Sequence, residues 1–171
     1  MKSTRLSKIT FTAAAALTVA AAFSACSNPV DDRIPYAPVS ITFRTEDEWR
    51  LYGTPAASDV RRFIKLEKIP AGFSYTALTE TGFGGVMLVC DAMGDNRAFD
   101  LACPVEVKQN VRIYVPEGEI NARCPQCGST YDILSGYGHA LSGPAQREGY
   151  WLKSYHVTYT GRPLEYIVVT R

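Results

Sequence analysis

The chain has no basic block long enough to track a phosphate backbone. Its 18 Lys and Arg stand against 17 Asp and Glu, and this balance argues against nucleic acid as a partner. It also has no Ser-His-Asp arrangement, no paired-acid motif and no phosphate-binding glycine loop, so a catalyst is not expected. No internal repeat is found. Beyond residue 23 there is no apolar run approaching the about 20 residues needed to span a bilayer. Low complexity is absent too: 46% hydrophobic and 20% charged residues in a length of 171 describe an ordinary folded protein with one domain as the prior.

Charge is unevenly placed. Lys2, Arg5 and Lys8 precede a 15-residue, Ala-rich apolar run from Ile9 to Phe23, which reads as a secretory signal peptide over residues 1–25. Phe23-Ser24-Ala25-Cys26 resembles the bacterial lipobox, so Cys26 is expected to carry the lipid, and two or more acyl chains hold a protein on a membrane stably. Residues 26–37 are polar and Pro-containing with no strand or helix period, and read as a flexible tether. By resemblance to lipoprotein sorting signals, Ser27 rather than Asp after the cysteine points to the outer membrane, on its periplasmic side or at the cell surface.

From Pro38 onward, residues 38–171 read as one all-β domain. Val39, Ile41 and Phe43 alternate with Ser40, Thr42 and Arg44, the period-two pattern of a strand with one buried face. Further β-rich runs are 63–66, 73–78, 86–90, 98–101, 111–115, 151–157 and 164–169. Turn chemistry separates them at Pro70-Ala71-Gly72, Met93-Gly94-Asp95-Asn96, Pro116-Glu117-Gly118 and Thr160-Gly161-Arg162-Pro163. Residues 46–61 fit a loop with a short helix.

Four cysteines remain after Cys26, in a compartment where an unpartnered thiol tends to oxidise: Cys90, Cys103, Cys124 and Cys127. Cys124-Pro125-Gln126-Cys127-Gly128 is a turn that aims two sulfurs at one point; its glycine tolerates positive φ and its amide can bond a thiolate, so metal binding is a natural use. A thioredoxin-like dithiol would need a helix after the turn. Residues 129–139 contain Gly136 and Gly138 and lack a helical period, which argues against it.

Residues 98–106 (Ala-Phe-Asp-Leu-Ala-Cys-Pro-Val-Glu), the run Cys124-Pro125-Gln126-Cys127-Gly128-Ser129-Thr130-Tyr131-Asp132, the pair Gly143-Pro144 and the closing strand together resemble the Rieske iron-sulfur domain. That family carries C-x-H, a variable insert, C-P-x-H-G-S-x-[FY]-D and a Gly-Pro loop over the cluster. Residues 33–38 and the strand after them also look like the opening of Rieske-like envelope lipoproteins. The resemblance implies an antiparallel β-sandwich with a small cluster-binding subdomain over about residues 100–145. It further implies that the hydroxyls of Ser129 and Tyr131 tune the centre and that Gly143 and Pro144 cover it.

The ligands depart from the pattern. A Rieske centre holds one iron with two cysteines and the other with two histidines. Here Cys103 and Cys124 take the cysteine positions, while Val105 and Cys127 stand where the histidines belong. Gln126 replaces the extra disulfide cysteine of respiratory Rieske proteins. For a fourth ligand, Glu106 lies in the first loop and His139 before the covering loop, whereas Cys90 is expected to be a buried hydrophobe and His156 structural. Two readings stay open. In one, Cys103, Cys124 and Cys127 hold an iron-sulfur cluster of altered ligation, or zinc, and the domain passes electrons to an envelope redox protein. In the other, the site binds no metal, a disulfide between Cys103 and Cys124 or Cys127 locks the loops, and the fold serves as a binding or structural module of the envelope, with Tyr137, Tyr150 and Tyr159 as candidate contacts.

Overall fold

The computed structural model describes residues 32–135, 137–159 and 166–169. The expected signal peptide, Cys26 and the turn expected at 160–163 lie outside them. No described helix is long and apolar enough to cross a membrane.

The chain is all-β and antiparallel. In order it forms β1 (Val39–Thr42), α1 (Glu46–Tyr52), β2 (Val60–Phe63), a 3-10 turn (Lys65–Glu67), β3 (Glu80–Thr81), β4 (Val86–Cys90), β5 (Asn96–Asp100), β6 (Ala122–Arg123), β7 (Thr130–Tyr131), β8 (Ala140–Ser142), α2 (Gly143–Glu148), β9 (Ser154–Tyr159) and β10 (Tyr166–Val169). Seven strands make one sheet in the order β2-β4-β5-β9-β10-β1-β3, and β6-β7-β8 make a second. Thr45 begins α1 because its hydroxyl accepts the Glu48 amide, and three acids, Glu46, Asp47 and Glu48, complement the first turn.

The buried run 86–90 explains the layering. All five residues of β4 are buried, so both of its faces are covered. Val86 and Leu88 join Val39, Ile41, Phe43, Trp49, Phe63, Phe73, Ala98 and Tyr155 in one core. Because β1, β2, β4, β5 and β9 all contribute, the large sheet curls around this cluster. Edge-to-face rings consolidate it, with Phe43 and Trp49 centroids at 5.0 Å. On the opposite face, Met87, Val89 and Phe99 pack with Leu101, Cys103, Ile113, Ala122, Cys124, Tyr131 and Ile133. The second core therefore lies between the large sheet and the small one, and it contains two of the cysteines.

Four expectations need correction. The run at 63–66 only ends a strand, since β2 spans Val60–Phe63 and Lys65–Glu67 form a 3-10 turn. Residues 73–78 form no strand, and Phe73 instead turns inward among Phe43, Phe63 and Tyr75. Residues 111–115 make only isolated bridges, Ala102 with Arg112 and Tyr114 with Arg123, because they cross between the two sheets rather than lie in either. The packed chain also begins before Pro38. Ile34 is only 1% exposed, its carbonyl accepts from Lys153 Nζ at 3.0 Å, and the Arg33 guanidinium lies 4.4 Å from the Tyr150 ring centre. Residues 33–35 are thus part of the domain rather than of the tether.

Candidate metal site

The sulfurs of Cys103, Cys124 and Cys127 all lie within 4.8 Å of one another, and none is in a disulfide. Residues 21 and 24 apart in sequence are brought together by two loops on the edge of the second core.

The first loop leaves β5 at Asp100. This carboxyl is fully buried and accepts from the amides of Phe83 (2.9 Å), Gly84 (3.0 Å) and Ala102 (2.7 Å) and from the Tyr155 hydroxyl (2.6 Å). Burial raises its pKa and outweighs these donors. The clamp ties the start of the loop to the Phe83-Gly84 turn, and the Cys103 amide then bonds Val111 O at 3.0 Å. The second loop runs from β6 to β7, where the Cys124 amide bonds Ser129 O at 2.9 Å.

The two loops share one local geometry. Cys103-Pro104-Val105-Glu106-Val107 and Cys124-Pro125-Gln126-Cys127-Gly128 each close a turn from the fifth residue's amide to the cysteine carbonyl, Val107 to Cys103 at 2.9 Å and Gly128 to Cys124 at 3.1 Å. In both, the fifth residue is left-handed, with φ 52° at Val107 and 73° at Gly128. The amides of Val105 and Glu106 act to lower the Cys103 thiol and those of Gln126 and Cys127 the Cys124 thiol, against burial. Amides converging on sulfur favour the thiolate. A valine in the left-handed region is strained, and it persists because the turn demands it. The repeated Cys-Pro dipeptide is the trace of this pairing in the sequence, and cysteine spacing does not reveal it because only the second turn carries a second cysteine. The Gly128 amide goes to a carbonyl, contrary to expectation; the bond to sulfur comes from Cys127, whose amide lies 3.5 Å from Cys124 Sγ.

Two hydroxyls reach the sulfurs. Tyr131 Oη is 3.5 Å from Cys103 Sγ, and Ser129 Oγ is 3.3 Å from Cys127 Sγ while also accepting the Ala145 amide at 3.1 Å. Gly143 and Pro144 form the first turn of α2 rather than a loop. Gly143 has φ 80°, and a Cβ there would stand 2.8 Å from the Ser129 Cα, so the close approach of α2 to the second loop requires glycine.

Electrostatics differ among the thiols. Burial pushes Cys103 up to about 12 and raises Cys124 as well. At Cys127 burial also acts upward, but the Ser129 hydroxyl and amide and the two neighbouring sulfurs together hold the thiol below its ordinary value.

The remaining candidates lie elsewhere. The Glu106 carboxylate accepts from Gln126 Nε2 at 2.6 Å and has Lys108 Nζ at 3.8 Å; it is outside the sulfur group, although it reaches from the first turn to the second. His139 packs its ring against Trp151 at 5.9 Å and is also outside the group. Val105 packs against the second core. Cys90 is buried at the end of β4 beside a shallow cleft lined by Trp49, Arg50 and Asn96, remote from the other sulfurs, and His156 is exposed on β9. Among the described residues, three sulfurs alone make up the cluster that could hold a metal ion.

The chain matches no family model, no curated protein and no solved structure.

Proposed function

We propose that this chain is a lipid-anchored protein of the bacterial cell envelope whose Rieske-like domain binds a metal through Cys103, Cys124 and Cys127 and transfers electrons to an envelope partner. The observation that carries the reading is the convergence of three sulfurs, with Cys103 and Cys127 only 3.7 Å apart. Four sulfurs at about 2.3 Å from a tetrahedral ion stand about 3.8 Å from one another, so the pair already spans one edge of such a site. A disulfide would need about 2.05 Å. The Cys127 amide, 3.5 Å from Cys124 Sγ, supplies a donor that stabilises a bound thiolate.

The resemblance supports the redox role, and the altered residues set its range. A third thiolate in place of a neutral imidazole lowers the potential of an iron centre. An acyl chain at Cys26 would lie seven residues from Arg33, at most about 25 Å of extended chain. Arg33 Nε bonds Pro104 O at 3.3 Å, so the anchor would hold the first cysteine loop close to the bilayer, within reach of a membrane-bound electron carrier.

A second reading, a metal-free module, is favoured by the hydrogen bonds that Tyr131 and Ser129 already make to sulfur. On this reading the exposed Tyr137 and Tyr159 are contact residues, whereas Tyr150 is half-covered by Arg33. One experiment separates the two. The full chain, solubilised in detergent after anaerobic, iron-replete expression, is assayed for metal and visible absorption. Stoichiometric iron with thiolate-to-iron absorption is the expected result. Zinc alone would replace electron transfer by a structural site, and a folded protein without metal would leave the binding module.

A further inference from the structure

We infer that the site is built for one tetrahedral ion and not for a two-iron cluster, with Glu106 supplying the fourth corner. The inference rests on the metal-bearing reading above and adds the number of ions and the complete ligand set.

The number follows from distances. In a two-iron cluster of the Rieske pattern, Cys103 and Cys124 would hold one iron and Cys127 the other. Cys127 would then stand across the bridging sulfides from both, well beyond a tetrahedral edge. It is instead 3.7 Å from Cys103, and all three sulfurs fall within 4.8 Å. One pair at an edge length and every pair within 4.8 Å is the spacing of donors around a single ion, not across a two-iron core.

The fourth corner follows from the paired turns. Cys124 and Cys127 are the first and fourth residues of the second turn, and both contribute sulfur. Cys103 and Glu106 are the first and fourth residues of the first turn, with the same closing hydrogen bond and the same left-handed fifth residue. Glu106 therefore occupies the position that Cys127 occupies in the other turn. Its side chain is longer than that of cysteine and presently reaches Gln126, inside the second turn. A change of side-chain rotamer is the movement needed to bring a carboxylate oxygen to an ion at the centre of the sulfurs. Zinc and iron(II) both accept three thiolates and one carboxylate oxygen.

The test uses the full chain in detergent, stripped of metal under reducing conditions and titrated with Co²⁺, beside the protein loaded anaerobically with iron and sulfide. Expected are one Co²⁺ per chain with the intense visible bands of a four-coordinate thiolate site, and one iron without acid-labile sulfide. Glu106→Gln should weaken Co²⁺ at least tenfold in competition with a chelator. Glu106→Cys should strengthen the sulfur-to-cobalt absorption by completing a four-sulfur site, a gain that misfolding cannot mimic. Two irons with two sulfides per chain would overturn the single-ion inference and leave the electron-transfer reading standing. A single zinc in the purified protein would do the reverse. Failure to take up any of the three metals would overturn both, and identical Co²⁺ affinity and spectra in the two Glu106 variants would overturn the fourth-corner assignment.

Discussion

At the scale of single residues, the three thiols are chemically unequal although they are close together. Cys103 and Cys124 are at most 1% exposed and pushed upward by burial, whereas Cys127 is half-buried and held low by Ser129. The thiolate is the nucleophile, so in metal-free protein at neutral pH iodoacetamide should alkylate Cys127 well before the other two, as read by peptide mass mapping. Asp91 provides a second test. Its carboxylate closes the β4–β5 hairpin through the Met93 and Asp95 amides, both 2.9 Å, and pairs with Arg97 at 2.8 Å. Burial opposes the charge, but these partners prevail and hold the pKa below the usual carboxylate value. A depressed folded-state pKa gives stability that is present above about pH 4, the unfolded value, and lost as pH falls through the folded one. Asp91→Asn should therefore cost about 2 kcal/mol near neutral pH and remove part of the acid sensitivity of unfolding, measured by urea titration at several pH values. Cys124, Cys127 and Gly128 could be recognised from the sequence because turn chemistry is local. The role of Asp100 could not, since its four donors come from residues 83, 84, 102 and 155.

At the scale of elements, two glycines test how the loops are built. Gly128 has φ 73° with open space around its Cβ position, so Gly128→Ala carries only the backbone penalty of about 1–2 kcal/mol. Gly143 has a similar φ but meets Ser129 backbone, so Gly143→Ala adds a steric clash and should cost clearly more. Gly143→Ala should also weaken Co²⁺ binding, because displacing Ser129 shifts the donor beside Cys127; Gly128→Ala should affect stability chiefly. Thermal unfolding and the cobalt titration distinguish the two. The strands at 39–42 and 86–90 were legible because a period-two pattern or a continuous apolar run records burial directly. Residues 73–78 carried the same composition without forming a strand, since Phe73 is used to fill the aromatic core and Tyr75 gives its hydroxyl to the Ile69 carbonyl.

At the scale of the whole molecule, residues 33–35 tie the start of the described chain to the first cysteine loop. Arg33, Ile34 and Pro35 contact Pro104, Tyr150 and Lys153, residues separated from them by 71 to 119 positions. A chain starting at Asp32 should unfold at the same denaturant concentration as the full domain, while one starting at Pro38 should lose about 2–4 kcal/mol, most of it from the vacated Ile34 pocket, by urea denaturation. The sequence alone determined the all-β class, the strand at 86–90 and the turn that brings Cys124 and Cys127 together, because alternation, apolar runs and turn residues act over a few neighbouring positions. Tertiary structure alone decided that residues 103 and 127 stand 3.7 Å apart, that two Cys-Pro turns share one geometry, and that Ile34 belongs to the domain. These depend on the packing of β4 and β5 between two cores and on the clamp around Asp100, which join parts of the chain that no local pattern relates.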